Sequence, residues 1–503
     1  MNNYRDFYND IKDLCYDNND EMIICANLDS PKSYSYEDVW RLIKRCNAFF
    51  YEVGLKSGDT IATILPNSIE AVICFFAASI AGINYAPLPC TVSEREYDNW
   101  NTLINPVLYI TKKGVVQFKT DKEFRQIEDD GNFAWLPEKE YDFKKSLCQS
   151  KVYLLTSGTT GTPKAMQIDI NKLWSAGYAF CQEYNILDSK IRFWNYLPMS
   201  YLGGLFNLAM IPLCCKGSFV ISETFSGKTM LNFWGFVKQY DITAIWFVPS
   251  IVRGLLKISK LIGVKYMETY KKIQVAFLGT APIDLIVKEE FERTFGIRLY
   301  ENFALSETTF LTGEKDNNIR FREQKSVGEE LSYVELELRS IDATNNICEI
   351  WVKTPYLFDG YLDSCGVLGY EIDDKGFFNS KDLGYLNDDG QLVLAGRSRD
   401  IIKKGGLFVS LVEIENVVIE RELIDEVAAV PISHEFYGES YILCVIFKGV
   451  EDEEREIEKL KAWMMDRFVP YKLPDKIVAM KEFPRTASGK IIKNDIVKEI
   501  MRG

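Results

Sequence analysis

Histidine is almost absent from this sequence, since His434 is the single histidine among 503 residues. A zinc site built on several imidazoles is therefore excluded, and we expect His434 to lie on the surface without an acid or base role. The sequence also lacks an excess of positive charge, because 59 lysines and arginines stand against 72 acidic residues. The net charge of −13 offers no broad basic surface, so we expect neither nucleic acid nor an anionic membrane as a partner.

No segment has the pattern of a secretion signal or of a membrane span. The N-terminus is polar and rich in acids, without the basic start and apolar stretch of a signal peptide. The most apolar window, 71–89, is uncharged but contains two prolines, so we predict a buried helix followed by a buried strand. The twelve cysteines include no C-x-x-C pair, which favours reduced, packed thiols and a cytoplasmic location.

The composition is that of a folded protein, with 47% hydrophobic and 26% charged residues, and the length predicts two to four domains. Residues 1–325 alternate helical stretches with short apolar strands, which predicts the α/β class with largely parallel sheets. The segment 326–397 has the texture of strands and turns, and we expect a small β-barrel-like subdomain there. The last hundred or so residues predict a small α+β domain with a charged, solvated helix. The strands predicted in the first region are 152–155, 244–248, 273–278 and 297–300.

The most informative stretch lies between two strand-like segments. Its residues are Thr156, Ser157, Gly158, Thr159, Thr160, Gly161, Thr162, Pro163 and Lys164. Two glycines let the backbone bend so that N–H groups converge, the hydroxyls add donors, and the lysine adds positive charge, as in a phosphate cradle. The spacing is not that of a Walker A loop, which needs G-x-x-x-x-G-K followed by Ser or Thr. Composition alone leaves an ordinary surface turn open.

The order TSGTTGTPK resembles the phosphate-binding loop of the acyl-adenylate-forming superfamily. This superfamily includes acyl- and aryl-CoA synthetases, peptide-synthetase adenylation domains and luciferases, and the motifs here are closest in style to the acyl-CoA synthetases. Ala165 departs from the glycine that the family usually has after Pro-Lys. Further motifs follow in the family's order across nearly the whole chain. They predict an N-terminal adenylate-forming domain at 1–398 and a mobile α+β C-terminal domain at 399–503.

Two segments before residue 310 resemble the family's nucleotide site. QVAFLGTAPI (274–283) resembles a strand and turn that approach the nucleotide, and YENFALSE (300–307) resembles N-Y-G-x-T-E. The resemblance implies a catalytic role for Glu307, whose carboxylate would hold Mg²⁺ between phosphate oxygens. Judged alone, the first segment is equally consistent with an ordinary turn between a strand and a helix. Phe303 alone would more often be a core residue, and Glu307 alone would more often be a carboxylate at the start of a helix. The other residues that the resemblance places around ATP here are Gly279, Thr280, Ala281, Asn302, Phe303, Ala304 and Ser306.

The remaining motifs lie beyond residue 378. NSKDLGYLNDDGQLVLAGR (379–397) resembles the family's ribose-binding segment, with Asp382 on the ribose hydroxyls and Arg397 near ribose and phosphate. Lys381 replaces the usual glycine, which leaves the shape of this loop open. PRTASGKIIK (484–493) resembles the family's C-terminal motif and implies that Lys490 is catalytic. Between these two motifs the resemblance implies a hinge at Arg399 and a side facing the thiol at Lys404, Gly405 and Gly406, and Leu411 stands where the family usually has proline.

The resemblance implies an enzyme that uses ATP to convert a carboxylic acid into an acyl-adenylate, with release of pyrophosphate. The acyl group then passes to a thiol, for which CoA is the first expectation. The predicted acyl pocket includes Tyr201, Gly203 and Trp246. Two alternatives stay open: an acyl-AMP ligase that loads the phosphopantetheine of an acyl carrier protein, and a non-catalytic nucleotide-binding protein.

Overall fold

A computed structural model of the chain describes residues 4–92, 94–115, 123–142, 150–156, 164–263, 267–281, 283–315, 326–341, 346–362, 366, 368–370, 372–397, 400–405, 407–485 and 491–502. The chain divides into two compact units. The first unit comprises Met1–Glu335, Val352–Gly376 and Asp389–Leu392, and the second comprises Leu336–Trp351, Phe377–Asp388 and Val393–Gly503.

The helices and strands are numbered in chain order. The helices are α1 (Phe7–Cys15), α2 (Tyr36–Glu52), α3 (Ile69–Ala81), α4 (Glu94–Ile104), α5 (Ile170–Glu183), α6 (Ile211–Cys214), α7 (Gly227–Leu231), α8 (Phe233–Gln239), α9 (Pro249–Ile262), α10 (Met267–Tyr270), α11 (Leu285–Phe295), α12 (Leu411–Val418), α13 (Glu453–Arg467) and α14 (Lys493–Arg502), with a π-helix at Gly203–Met210 and a 3₁₀-helix at Pro470–Lys472. The strands of the first three hundred residues are β1 (Glu21–Cys25), β2 (Lys32–Ser35), β3 (Thr60–Ile64), β4 (Asn84–Leu88), β5 (Leu108–Lys112), β6 (Glu123–Ile127), β7 (Lys151–Thr156), β8 (Lys164–Asp169), β9 (Arg192–Asn195), β10 (Ser218–Ile221), β11 (Ala244–Phe247), β12 (Val275–Leu278) and β13 (Tyr300–Leu305). The later strands are β14 (Thr309–Gly313), β15 (Glu329–Glu330), β16 (Glu335–Ser340), β17 (Cys348–Lys353), β18 (Gly360–Leu362), β19 (Leu368–Gly369), β20 (Phe378–Leu386), β21 (Leu392–Arg397), β22 (Ile401–Lys404), β23 (Leu407–Ser410), β24 (Ile424–His434), β25 (Gly438–Phe447) and β26 (Lys476–Ala479).

The first unit contains a nine-stranded sheet in the order β15-β14-β13-β12-β11-β9-β10-β1-β2. Its six central strands, from β13 to β1, run parallel, and the strands beyond them pair antiparallel. Parallel strands are buried on both faces, which explains their continuous apolar sequences. Because parallel strands end at the same edge, the residues that follow β11 and β12 share that edge with the end of β13.

A second sheet of the first unit has eight strands in the order β19-β18-β8-β7-β4-β3-β5-β6. The strands β7, β4, β3, β5 and β6 pair in parallel, whereas β8 and β18 add antiparallel strands. The antiparallel addition places the short segment Gly360–Leu362 directly against β8, although nearly 200 residues separate them in sequence.

The predicted helix and strand at 71–89 are confirmed as α3 and β4. Ser68 caps the N-terminus of α3 by accepting a hydrogen bond from the N–H of Ala71, and Gly82 ends the helix with φ +70°. Every residue of α3 is buried. Among the described residues, no helix has the length and apolar character that crossing a bilayer requires.

The predicted strands are confirmed in three cases out of four. The structure has β7, β11 and β12 at the expected places, whereas 297–300 is wrong, because the strand there begins only at Tyr300. Ile297 and Leu299 are buried side chains of the apolar cluster beneath the sheet. Burial in an irregular segment therefore gave the same apolar pattern as a short strand.

The second unit contains two sheets. A four-stranded sheet has the order β16-β17-β20-β21, and a further sheet of five strands has the order β23-β22-β25-β24 with β26 paired to β25. The predicted α/β class and the smaller C-terminal α+β region are confirmed. In the described residues of 326–397 the expected barrel-like subdomain is an open sheet. The charged helix α13 buries Leu460 and Met464 and exposes its acidic side, as predicted.

The ten described cysteines carry free thiols, and eight of them are buried. This agrees with the expected reduced and packed state. Cys214 and Cys215 are core residues, and Sγ of Cys215 lies 3.4 Å from that of Cys181. Burial raises the pKa of the Cys181 and Cys214 thiols, so these groups act as small apolar side chains.

Glu70, the one acidic residue of α3, has no exposed surface. Its Oε1 accepts a hydrogen bond from the N–H of Gly131 at 2.8 Å, while Oε2 has no partner among the described residues. Burial raises the pKa of Glu70 from 4.5 to about 7. The folded protein therefore holds a proton at Glu70 that the unfolded chain releases at lower pH.

The pH dependence of unfolding tests this account of Glu70. Because the folded-state pKa is raised, the stabilisation is complete below pH 4.5 and is lost as the pH rises to about 7. The variant Glu70→Gln cannot ionise, so its stability relative to the wild type should increase between pH 5 and 8 by up to about 3 kcal/mol. Urea unfolding of both proteins at the two pH values measures this change. A stability difference that is the same at both pH values contradicts it.

Candidate functional site

The strands that flank the predicted phosphate loop form an antiparallel hairpin. β7 and β8 pair along their whole length, and the register places Thr156 opposite Lys164. The hairpin fixes both ends of the loop, as expected from the apolar segments on either side. The loop residues Ser157, Gly158, Thr159, Thr160, Gly161 and Thr162 and the side chain of Thr156 lie outside the described residues.

Lys164 and Glu307 converge on one tyrosine. Nζ of Lys164 lies 5.1 Å from the centre of the Tyr361 ring. The Tyr361 hydroxyl donates a hydrogen bond to Oε1 of Glu307, and the N–H of Phe358 donates to the backbone carbonyl of Glu307 at 2.7 Å. The structure thus brings together two predicted site residues of opposite charge. Sequence reasoning missed Tyr361, because a lone tyrosine in a short strand carries no pattern of its own.

Glu307 has the chemistry of a magnesium ligand. Its carboxylate is half-buried at the turn after β13, and Mg²⁺ prefers carboxylate oxygens together with water and phosphate oxygens of the substrate. Among the described residues, no group of three or more His, Cys, Asp or Glu side chains could enclose a metal ion. A single carboxylate therefore fits a Mg²⁺ ion that takes its other ligands from a nucleotide and from water.

Three predicted residues meet at the edge where the parallel strands end. A Cβ atom on Gly279 would lie 3.0 Å from Oδ1 of Asn302 and 3.5 Å from Nε1 of Trp246, so a larger residue at this position would require the Asn302 side chain to move. Asn302 is 6% exposed, and its Nδ2 has no hydrogen-bond partner among the described residues. A buried donor without an acceptor costs about 1–3 kcal/mol. The amide of Asn302 is therefore placed to bind a ligand oxygen at this edge.

The backbone after Gly279 is strained. Thr280 has φ +75°, a conformation that β-branched residues rarely adopt. Both Thr280 and Ala281 are exposed, so their backbone is accessible at the strand edge. Strain of this kind persists where the surrounding structure imposes it, and it is frequent at binding sites.

The other predicted residues of this segment differ in exposure. Phe303 is buried, with 8% exposure, and lies opposite Thr312 on β14. Ala304 is exposed and Ser306 is half-buried. A β-bulge between Phe303 and Ala304 turns the following residues out of the ladder. Stacking of the Phe303 ring on adenine stays a prediction.

The predicted acyl-pocket residues lie on separate elements. Tyr201 is half-buried, and the pKa of its hydroxyl is raised mainly by burial and to a smaller extent by the charge of Glu96. Gly203 begins the π-helix, and a Cβ atom on the next residue, Gly204, would clash with the carbonyl oxygens of Leu197 and Pro198. A π-helical turn often marks a functional position.

Trp246 belongs to a packed aromatic group within the first unit. Its ring centre lies 4.7 Å from that of Phe277, 5.3 Å from Phe310 and 5.5 Å from Phe180. All four side chains are buried. Large rings thus fill the space on this side of Gly279.

A buried ion cluster lies behind these residues. Nζ of Lys288 on α11 donates to Oε2 of Glu301 at 3.0 Å and to Oε2 of Glu314 at 2.7 Å. All three side chains are at least 95% buried, and the N–H of Glu301 also donates to Glu314. Burial raises the pKa of Glu301, against the opposing effect of the Lys288 charge. The cluster ties α11, which follows Ala281, to the strand that carries Asn302 and Phe303.

In the second unit Asp382 and Arg397 form an ion pair on neighbouring strands. Nε of Arg397 donates to Oδ1 of Asp382 at 3.0 Å, and the carboxylate is 6% exposed. Lys381, which stands where the family pattern usually has glycine, adopts φ +62°, a conformation that glycine takes at little cost. Side chains of Asn379 and Ser380 accept hydrogen bonds from the N–H groups of Lys381 and Asp382. These two hydrogen bonds hold the backbone on both sides of the Lys381 Cα atom.

Lys404 is buried within the C-terminal sheet. Its Nζ donates to Oδ1 of Asp475 and to the carbonyl of Leu473, both at 2.9 Å, and only 7% of the residue is exposed. Ser440 donates to the same carboxylate at 2.5 Å. Burial alone would raise the pKa of Asp475, but these hydrogen bonds and the Lys404 charge outweigh it, so the pKa lies below its usual value. The assignment of Lys404 and Gly405 to the thiol side stays a prediction.

His434 has a structural role at the turn between β24 and β25. Its Nδ1 accepts hydrogen bonds from the N–H groups of Phe436 and Tyr437, each at 3.1 Å, and its Nε2 lies 3.3 Å from Asp475. The expectation that His434 takes no acid or base role fits these contacts. The predicted residues Arg399, Gly406 and Lys490 lie outside the described residues.

Comparison with known families matches both parts of the chain. The sequence model of the AMP-binding enzyme family matches residues 16–362. The model of the AMP-binding enzyme C-terminal domain matches residues 413–490. The two matches together take in most of the predicted site residues, including Glu307 and Lys490.

Curated relatives and solved structures resemble the chain over most of its length. A malonate–CoA ligase of Arabidopsis thaliana is 27% identical over 79% of this chain and 66% of that protein, and an oxalate–CoA ligase of the same plant is 25% identical over 90% of each. ATP-bound MatB from Rhodopseudomonas palustris superposes with a TM-score of 0.83 at 22% identity, over 98% of this chain and 99% of that one. The o-succinylbenzoate CoA synthetase of Bacillus subtilis with ATP and magnesium gives a TM-score of 0.82 at 19% identity over 98% and 99%. These structures share the fold.

Removal of the buried cation tests the ion cluster. Lys288→Met leaves two buried carboxylates without a counter-charge, so we expect a loss of about 3–5 kcal/mol in the free energy of unfolding. The control is the triple variant Lys288→Met, Glu301→Gln, Glu314→Gln, which removes the charges together and should recover most of that loss. Urea unfolding measures both. Equal stability of Lys288→Met and wild type contradicts a structural role for the cluster.

Relief of strain tests the conformation at Lys381. A left-handed conformation costs a non-glycine residue about 1–2 kcal/mol. Replacement by glycine removes this strain, but it also gives the unfolded chain more conformational entropy, which offsets part of the gain in stability. Lys381→Gly should therefore raise the melting temperature, whereas Lys381→Ala, which keeps the strain, should not. Differential scanning calorimetry compares the three proteins. A lower melting temperature for the glycine variant than for the alanine variant contradicts the strained backbone.

Proposed function

Because the chain belongs to the family of AMP-binding enzymes, we propose that it is an ATP-dependent acid–CoA ligase. Its reaction would join a carboxylic acid to AMP, release pyrophosphate, and pass the acyl group to the thiol of CoA. The observation that carries the proposal is the convergence of Lys164 and Glu307 on Tyr361, beside the hairpin that holds the phosphate loop. A triphosphate bound there would meet a cation and a metal ligand at once.

The first step is limited by charge. A carboxylate that attacks the α-phosphate of ATP must approach a second anion, so catalysis consists of positioning and neutralisation. In our proposal the loop from Thr156 to Lys164 binds the β- and γ-phosphates through backbone N–H groups, hydroxyls and one ammonium. Glu307 would hold Mg²⁺, which supplies positive charge to the phosphate oxygens. Lys490 would contact both the acid and the α-phosphate.

The rest of the nucleotide would be bound by neutral and paired groups. Asp382 would accept hydrogen bonds from the ribose hydroxyls, and its ion pair with Arg397 keeps the carboxylate oriented. The exposed backbone of Thr280 and Ala281 would approach the nucleotide at the strand edge. Phe303 would stack on adenine, with Ala304 and Ser306 beside it.

The second step requires the adenylate to be exposed to a thiol. We propose that the region after residue 398 turns about Arg399, which withdraws Lys490 and brings Lys404, Gly405 and Gly406 toward the acceptor. The matched C-terminal domain at 413–490 supports a separate region of this kind. The domain boundary near 398 belongs to the same proposal.

We propose a short carboxylic acid as the substrate. The packed rings around Trp246 leave little room beside Gly279, which favours a small acyl group. The relatives named malonate–CoA ligase and oxalate–CoA ligase also act on small acids. Tyr201, Gly203 and Trp246 would then line the acyl end of the site, while the Nδ2 of Asn302 would face the nucleotide.

CoA is the proposed acceptor, because the relatives are named CoA ligases. Loading of the phosphopantetheine of an acyl carrier protein is the alternative within the same chemistry. A non-catalytic nucleotide-binding role has less support, since Glu307, Asp382, Arg397 and Lys490 are all present. The buried free thiols support a reducing compartment, so we propose a cytoplasmic location.

Acid-dependent exchange between ATP and pyrophosphate tests the proposal. A panel of mono- and dicarboxylic acids from two carbons upward should give exchange that is strongest for short acids. Active acids are then offered with CoA or with a holo carrier protein, and mass spectrometry identifies the thioester. Failure of every acid to support exchange contradicts the enzyme, and a product on the carrier alone identifies the alternative acceptor.

Substitution of Lys490 separates the two half-reactions. Lys490→Ala should lower exchange by roughly 10²–10³-fold, because it removes one charge from the adenylation step. Thioester formation from supplied acyl-AMP should stay largely intact. The control is Lys498→Ala, an exposed lysine of α14, which should leave both reactions unchanged. Equal loss of both half-reactions in Lys490→Ala contradicts its assigned role.

A further inference from the structure

Tyr361 occupies a position that the sequence gives no reason to notice. It lies on the three-residue strand β18, whose register places Tyr361 opposite Met166 and Leu362 opposite Ala165. Lys164 is the next residue along β8, at the end of the phosphate loop. The pairing therefore sets the Tyr361 ring beside the loop's terminal cation.

The segment that leads into β18 is firmly held. The N–H of Asp359 donates to the carbonyl of Gln167 at 2.8 Å, and its carboxylate accepts hydrogen bonds from Lys172 at 2.6 Å and from Lys151 at 3.1 Å. Burial would raise the pKa of Asp359, but the two ammonium groups hold it below its usual value. Two cations therefore anchor Asp359, which lies two residues before Tyr361 and directly before β18.

One phenol thus serves two charged groups. Its ring face receives the ammonium of Lys164 at 5.1 Å, and its hydroxyl donates to the carboxylate of Glu307. The electron-rich face of an aromatic ring attracts a cation, and a hydrogen bond from a phenol fixes the direction of a carboxylate. The same hydrogen bond leaves the second oxygen of Glu307 for another ligand.

We propose that Tyr361 is a positioning residue of the adenylation step. It acts through Glu307 and Lys164, holding the metal-binding carboxylate and the phosphate-binding ammonium in the arrangement that one magnesium-bound triphosphate requires. This inference rests on the proposed function, because it assigns Glu307 to Mg²⁺ and Lys164 to phosphate. Groups that orient a metal ligand typically change metal affinity or activity by about 10–100-fold when they are removed.

The variant Tyr361→Phe separates the two contacts, since it keeps the ring and removes the hydroxyl. We expect a roughly 10–100-fold increase in the Mg²⁺ concentration that gives half-maximal ATP/pyrophosphate exchange. Tyr361→Leu removes the ring as well and should further raise the KM for ATP. Thioester formation from supplied acyl-AMP, which needs no triphosphate, should not change in either variant. The control is Tyr370→Phe, the same substitution at an exposed tyrosine nearby.

A binding measurement gives a readout that does not depend on turnover. A non-hydrolysable ATP analogue should raise the melting temperature of wild type more with Mg²⁺ than without it. In Tyr361→Phe this difference should be smaller, while the melting temperature of the free protein stays near that of wild type. In a Glu307→Gln background, Tyr361→Phe should have no further effect on the magnesium dependence, because the two residues act through one contact.

The possible outcomes separate the inference from the proposed function. Magnesium curves and thermal shifts of Tyr361→Phe that equal those of wild type overturn the inference, as does an additive effect with Glu307→Gln. Absence of exchange in wild type overturns the proposed function, while the thermal shifts still decide whether Tyr361 supports binding of the magnesium nucleotide. A larger magnesium requirement in Tyr361→Phe but not in Tyr370→Phe supports the positioning role of Tyr361.

Discussion

The buried charge of Lys288 is the interaction on which the first unit's site depends. It joins α11 to Glu301 of β13 and to Glu314, the residue after β14, and both glutamates are buried. These elements carry or adjoin the turn at Gly279, the amide of Asn302 and the carboxylate of Glu307. A buried ion cluster adds little net stability, but it restricts the positions of its side chains, since the charges are compensated in few arrangements. The buried cluster thus fixes the elements that carry the candidate site residues.

The sequence predicted the parts of the fold that repeat a simple pattern. The uncharged window 71–89 predicted α3 and β4, and the apolar segments around the predicted phosphate loop predicted the strands β7 and β8, although not their antiparallel pairing. The prediction of a strand at 297–300 was wrong because a buried irregular segment and a short strand have the same apolar sequence pattern. The contact between Lys164, Tyr361 and Glu307 could not be predicted, because strand pairing between β8 and β18 depends on the whole sheet and not on nearby residues.

Two departures from the family pattern have different structural consequences. Lys381 adopts a left-handed backbone conformation where the family usually has glycine, and the N–H of the following Asp382 donates to the Ser380 hydroxyl, so this backbone is held at the cost of strain. Leu411, which stands where proline is usual, begins α12 and is fully buried, so its side chain contributes to the core of the C-terminal unit. A sequence comparison gives these substitutions equal weight, whereas the backbone angle and the burial distinguish them.

The hairpin at Thr156 and Lys164 has a consequence for engineering. Because the register of β7 and β8 places Thr156 opposite Lys164, these two residues mark the points between which the loop sequence can be replaced. Loops of related enzymes could be grafted between these two positions without disturbing the parallel strands behind them. The residues proposed for the acyl pocket lie on other elements, so such a graft would leave them unchanged.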